Sequence, residues 1–346
     1  MKISILTFQF AHNYGAQLQC FALKKYMEGY NNTVQVSDYV PKKAIDVYRF
    51  WPRLNLKHPR SYIRDMVRVF RRKEQYKIFD NFIKSEILTN AIESPDLVVI
   101  GSDQIWNEEI TGKNEYYYGS EFDKYKIISY AGSFGTSKLT EFQKKNIQQF
   151  FPRYQAISLR ESCNISDVEY ICKKKCVCVV DPVFLLDKAE WIEFEKKPKS
   201  LKNNKYILYY SLREDKELIS ETKNLSQKLG YVVYSIHPTC NKTDKTFLQL
   251  NDVGPKEFVY LINHANIIST NSFHAVSFSG IFDKKVLYKS YSDTESRVPT
   301  ILEHYGLEFE KGRSFIYNFE DADKTVMNEK IQYSKIFLKG FFEKNE

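Results

Sequence analysis

The chain has 346 residues, more than one hydrophobic core fills comfortably and a natural length for two domains. Hydrophobic residues at 43% and charged residues at 27% describe an ordinary folded, soluble protein, and no apolar run approaches the length of a membrane-spanning helix. The formal charge of +8 favours anionic substrates or an anionic surface and is silent about fold.

The opening MKISILTFQF starts with a lysine and an apolar run, as a secretory leader does. The run is short, alternates, and meets AHNYGAQ without a small-residue cleavage site, so it reads as a first β-strand. AQLQCFALKKYME then follows a helical pattern, and the strand-like runs DLVVIGSD, KIISYAG, YQAISLRE and CVCVVDP recur at βαβ spacing. A second series begins at KYILYYSL and continues through the helical EDKELISETKNLSQKLG, where Gly230 suits the residue after a helix end. YVVYSIHP, the helical GPKEFVYLINHA, NIISTNS, another helix, KKVLYKS and SRVPTILEHYGL complete it. This alternation predicts α/β architecture, with parallel sheets covered by helices on both faces.

Between the two series lies LLDKAEWIEFEKKPKSLKNNKY, lysine-rich and interrupted by Pro198. The boundary is placed near residues 188–204. That gives an N-terminal domain over 1–190, a C-terminal domain over 203–322, and a terminal helix over 323–346 packing back on the first domain. Residues 41–80 form an insertion dense in Lys and Arg, with Tyr48, Phe50, Trp51, Tyr62 and Phe70 interleaved. Two readings stand level: a solvated helical insertion docked by its aromatics, or a surface for an anionic membrane or a lipid-phosphate acceptor. Nothing resembles a nucleic-acid reading module, so no nucleic acid is expected. The expected location is the cytoplasm, with peripheral contact at the inner face of a membrane as the alternative.

Cys172, Cys176 and Cys178 are close enough to raise a metal site. KCVCVVD alternates like a strand, however, and no CxxC pair, HxH, HExxH or DxD pattern accompanies it. Buried free thiols and no metal are the expectation.

In open parallel sheets ligands bind beyond the carboxyl ends of strands, beside helix N-termini. Four such places carry unusual residues. After the first strand come His12, Asn13, Tyr14 and Gly15, where the glycine makes either a plain turn or room for a ligand. After VVI come Gly101, Ser102 and Asp103; the aspartate fits a helix N-cap or a carboxylate facing the cleft. YAGSFG brackets Ser133 with glycines and suggests backbone N–H groups for an oxyanion or phosphate. In the second series Arg213 follows a strand and precedes a helix, suited to phosphate or to an ion pair with Glu214 or Asp215. His274 sits at a helix start beside Asn271 and Ser272. A helix N-terminus opposes a cation by roughly 0.3–1 kcal/mol, so a histidine there rests neutral or is recharged by an anionic ligand.

NYGAQLQ, DLVVIGSDQIWN, SYAGSFG, ISLRE, VVDPVFLL and DVGPKEFVYLINHANIISTNSFHAVSFSGIF, in this order, resemble the polysaccharide pyruvyl transferase family from the N-terminus to about Leu307. The resemblance implies a GT-B-like fold, two Rossmann-like domains with the active cleft between them. It implies phosphoenolpyruvate as donor and a sugar diol as acceptor, on a capsular or exopolysaccharide glycan or its lipid-linked precursor. The product is a pyruvate ketal, and no cofactor is implied. An arginine and a histidine that hold the donor fall on Arg213 and His274, and an aspartate facing it falls on Asp103. Some members carry an arginine two places before the histidine; here that place is Ser272, and another cation such as Arg297 would serve instead. His274 is then the proton donor, Asp103 the proton acceptor, and Arg213 with the amides around Ser133 the phosphate holders. The competing readings are a GT-B glycosyltransferase using a nucleotide sugar and a non-catalytic partner in glycan assembly.

Overall fold

The computed structural model describes residues 1–42, 72–89, 92–237, 243–290 and 297–342. Most of the basic insertion, with its five interleaved aromatics, lies outside the described residues.

Four parallel strands form the first sheet in the order β2-β1-β3-β4: β1 (Lys2–Leu6), β2 (Thr33–Val36), β3 (Leu97–Ile100) and β4 (Lys126–Ser129). Bridges from Ile128 to Ala156 and from Gly132 to Leu159 attach β5 (Ile157–Leu159), which pairs in parallel with β6 (Cys176–Cys178). The second sheet runs β12-β11-β10-β7-β8-β9. Its members are β7 (Tyr206–Tyr210), β8 (Val232–Ile236), β9 (Leu248–Gln249), β10 (Ile267–Thr270), β11 (Lys285–Tyr288) and β12 (Phe315–Asn318). All residues of β3 and β7 are buried, as strands covered on both faces must be.

The helices are α1 (Tyr14–Glu28), α2 (Glu141–Phe150), α3 (Ile165–Cys172), α4 (Lys188–Phe194), α5 (Lys216–Leu229), α6 (Pro255–His264), α7 (Phe273–Ile281), α8 (Arg297–His304) and α9 (Thr325–Phe342). A further helical stretch, 72–82, continues into one π-helical turn, Ile83–Ile87. Asp215 caps α5 through the amide of Leu218, and Gly230 ends it at φ +68°, the left-handed conformation glycine adopts without steric cost. β12 pairs antiparallel with β11, an antiparallel edge strand on an otherwise parallel sheet. Phe315 and Ile316 of this edge strand are exposed, which removes the buried apolar run that marks an interior strand.

In each sheet the strand order reverses once, between β1 and β3 and between β7 and β10. These are the switch points at which crevices open beyond the strand ends. The two crevices are held face to face by aromatic packing. Tyr14 at the start of α1 stacks on Phe258 of α6 with centroids 4.7 Å apart and meets the edge of Tyr210 at 5.5 Å. Its hydroxyl donates to the Val253 carbonyl and accepts from Gln75 Nε2. One continuous apolar core therefore includes Ile3 and Leu97 of the first sheet with Leu208 and Ile268 of the second. After the second sheet the chain returns to the first. Ser334 of α9 accepts a hydrogen bond from the Val180 amide at 3.0 Å, and Phe337 packs against Tyr130.

Candidate functional site

The site grows from the end of β10. Thr270 Oγ1 donates to the Tyr210 carbonyl at 2.6 Å and accepts from the Ser272 amide at 3.0 Å, which fixes the turn out of the strand. Ser272 caps α7 by accepting from the Ala275 amide. Asn271 Oδ1 accepts from the Leu212 amide at 2.9 Å, and its Nδ2 donates to the Arg213 carbonyl at 3.4 Å. Asn271 and Ser272 thus secure the two loops of the β7/β10 switch point with their own side chains.

This framework aims His274, in the first turn of α7, across the gap at the first sheet. Its ring lies against the backbone of Gly15: a Cβ at that position would stand 2.1 Å from His274 Nδ1. Gly15 is therefore a place of close approach by a side chain of the second sheet's helix, which is neither the plain turn nor the room for a ligand that its sequence context suggested. The other ring nitrogen, Nε2, is 3.5 Å from Asp181 Oδ2, just beyond β6.

Asp181 belongs to a buried cluster of charges on the ends of β3, β5 and β6. Arg160 Nη1 meets Asp181 Oδ2 at 3.0 Å, its Nη2 meets Asp103 Oδ1 at 3.5 Å, and its Nε meets Glu161 Oε1 at 3.4 Å. Burial alone pushes the Asp181 carboxyl up, but His274, Arg160 and the Val183 amide outweigh it and hold the group down at about 2. Burial likewise disfavours the charged Arg160, yet Glu161, Asp103 and Asp181 together raise its pKa. The guanidinium groups of Arg160 and Arg297 both lie over the Phe273 ring, at 5.0 and 5.6 Å from its centroid. Beside them opens a cavity of about 230 Å³, bounded by Arg160, Asp181, Phe273, Arg297, His304 and Lys330.

The structure brings His274, Asp103 and Arg297 to this cluster and gives other duties to several expected residues. No helix starts at Asp103; the next helical turn, Glu108–Thr111, is capped by Asn107, so the N-cap reading is overturned. Asp103 instead has φ +72° and accepts from the Gln104 amide and from Arg160. Ser102 is fully buried and its hydroxyl donates to Gln19 of α1. Asn13 caps α1, and Tyr14 belongs to the core. Ser133 is fully buried and donates to Glu161 Oε1 at 2.9 Å.

The amides around Ser133 also depart from expectation. Ala131 N donates to Ser158 Oγ, Ser133 N to the Asp103 carbonyl, and Gly135 N to Ser133 Oγ. These donors organise the charged cluster and do not present themselves to a phosphate. Arg213 lies on the exposed loop after β7, its carbonyl held by Asn271 and Ser211. Asp215, one of its two suggested ion partners, caps α5 and faces Lys289 at 3.5 Å.

Arg160 and Asp181 were not among the expected site residues, although both fall in stretches that carried the family resemblance. A signal was available: each is a charged residue just past a short apolar strand, at the end where ligands bind. Cys172, Cys176 and Cys178 are free thiols. Among the described residues no group of three or more His, Cys, Asp or Glu side chains is arranged for a metal ion, and no helix is long and apolar enough to cross a membrane.

Residues 13–293 match the model of the family described as polysaccharide pyruvyl transferase. No curated protein matches the chain significantly in sequence. Among solved structures, UDP-GlcNAc 2-epimerase from Neisseria meningitidis, bound to UDP-GlcNAc, superimposes with a TM-score of 0.50 at 11% identity, over 99% of this chain and 93% of that one. UDP-GlcNAc 2-epimerase from Methanocaldococcus jannaschii gives a TM-score of 0.49 at 13% identity, over 98% of this chain and all of that one. At such identities the likeness is one of fold, and the fold is GT-B-like: two Rossmann-like sheets with a cleft between their strand ends.

Proposed function

The chain belongs to the polysaccharide pyruvyl transferase family, and from that premise we propose that it moves the pyruvyl group of phosphoenolpyruvate onto two hydroxyls of a sugar. The acceptor is a cell-surface polysaccharide or its lipid-linked precursor, and the products are a cyclic pyruvate ketal and inorganic phosphate. A peripheral station at the inner face of the membrane, where lipid-linked glycans are built, fits the formal charge of +8.

The observation that carries this reading is the position of His274: a titratable ring at a helix start, where the strand ends of the two sheets meet. Ketal formation needs a proton delivered to C3 of the enol, so that C2 becomes electrophilic. One acceptor hydroxyl then attacks C2 and loses its proton, phosphate departs, and the second hydroxyl closes the ring with loss of its own proton. One proton ends on the new methyl group and the other on phosphate, so the reaction is balanced without a redox step. His274 is the acid for C3; a positioned acid typically contributes about 10²–10⁴ in rate.

Asp103 is the proton acceptor for the sugar. Its side chain is 15% exposed while that of Asp181 is 0% exposed, so of these two carboxylates Asp103 is the one an acceptor can meet. Arg297, placed over Phe273, supplies positive charge beside Ser272, where some family members have an arginine. Arg213 closes the donor side from the loop after β7.

The decisive measurement is phosphate release from phosphoenolpyruvate in the presence of lipid-linked glycan. His274→Ala is expected to lower it by at least about 10²-fold with the fold intact; near-wild-type release removes His274 from the mechanism. Thermal stabilisation by phosphoenolpyruvate but not by UDP- or GDP-sugars separates this reading from nucleotide-sugar transfer.

A further inference from the structure

Asp181 is the carboxylate in the cluster that faces both the imidazole and the buried guanidinium. Its Oδ2 stands 3.0 Å from Arg160 Nη1 and 3.5 Å from His274 Nε2, while its Oδ1 accepts from the Val183 amide at 3.1 Å. Its placement is strongly fixed. The chain immediately before it is tied to α9 through the Val180 amide and Ser334, and to Tyr130, whose hydroxyl donates to the Val180 carbonyl at 3.1 Å.

The charges around the ring carry the next step. Asp181 faces His274 from the end of β6. Arg160 stands behind it at the end of β5, with Asp103 and Glu161 as its other partners, and Arg297 approaches from α8. Glu303, His304 and Lys330 line the cavity beside this cluster. Among the charged groups, Asp181 is the carboxylate that the imidazole faces at 3.5 Å, and an opposite charge at such a distance favours the protonated ring. The 3.5 Å separation is long for a hydrogen bond, as catalytic contacts often are before substrate binds.

We infer that Asp181 is the positioning residue of the proton donor: it holds Nε2 of His274 and supplies its counter-charge, so that Nδ1, the nitrogen beside Gly15, delivers the proton. Arg160 acts one step further back by fixing Asp181. On the reaction proposed above, on which this assignment rests, the proton moves from Nδ1 to C3 of the donor and leaves a neutral ring with its remaining proton on Nε2. The ring regains its proton from solvent or from an acceptor hydroxyl before the next turnover.

The test reads His274 directly by NMR of its imidazole in the full-length chain, with the signal assigned by its loss in His274→Gln. In Asp181→Asn the capping acceptor for Val183 is retained and the charge is removed. The midpoint of His274 titration is expected to fall by about one pH unit or more, a tenfold change in acid dissociation. Asp181→Glu is expected to restore most of it. An unchanged midpoint in folded Asp181→Asn overturns the assignment. A readout independent of that variant is the ¹⁵N shift of the neutral ring in the wild-type chain: a proton on Nε2 supports the assignment and a proton on Nδ1 overturns it. Neither measurement uses phosphoenolpyruvate or a glycan, so the result stands apart from the outcome of the phosphate-release assay.

Discussion

Gly15 and His274 share a space that admits no larger neighbour. An added Cβ at 15 would sit 2.1 Å from Nδ1, so Gly15→Ala must displace the ring. A misplacement of about 1 Å in a catalytic group costs about 10²-fold, and that is the loss of phosphate release expected for Gly15→Ala. Circular dichroism should show the secondary structure unchanged. Asp181 makes a second prediction, in acid. Its pKa in the folded chain is about 2, below its ordinary 3.8. The stability it contributes is therefore complete above the ordinary value and is lost as pH falls from there through the folded value. Denaturant titrations between about pH 4 and pH 2 should show a shallower loss of stability in Asp181→Asn than in wild type. His274 was legible in the sequence because a titratable ring at a strand-to-helix turn is conspicuous by itself. Arg160 and Asp181 were not, because their roles depend on strand ends 21 residues apart becoming neighbours in space. Asp103 was half legible: its place at a strand end was plain, while its partner guanidinium was not.

At the scale of elements, the strands that announced themselves were the buried ones. LVVI of β3 and YILYY of β7 are apolar throughout because helices cover both faces, and such runs survive in any reading of the sequence. β2, β9 and β12 did not stand out. β9 is two residues long, and β12 is an edge strand that shows apolar side chains to solvent. The terminal helix was visible as a helix packing back on the first domain, but the serine that anchors it there was not. Ser334 is fully buried and its Oγ accepts from the Val180 amide while donating to the Lys330 carbonyl at 2.7 Å. Ser334→Ala leaves that buried amide unpaired and is expected to lower stability by about 1–3 kcal/mol, read from urea unfolding. Gly230→Ala forces a side chain into the left-handed conformation at φ +68° and should cost about 1–2 kcal/mol in the same assay. Because Gly230 closes α5 at the far end from the crevice loops, donor affinity should not change with it.

Across the whole molecule the two sheets share one apolar core, joined by Tyr14, Tyr210 and Phe258. Calorimetry should therefore record one cooperative transition and not two. Tyr14→Ala removes the stacked ring at the centre of this junction and is expected to cost about 3–5 kcal/mol, as loss of a large buried aromatic does. A thermogram that divides into two well-separated peaks in wild type would contradict this coupling. On the reaction proposed above the acid has divided ownership: His274 rides on the second sheet's helix, whereas its glycine cradle and its carboxylate come from the first. On that reading neither half alone would hold the complete proton source, and the core that fixes the two sheets to each other would fix the acid as well.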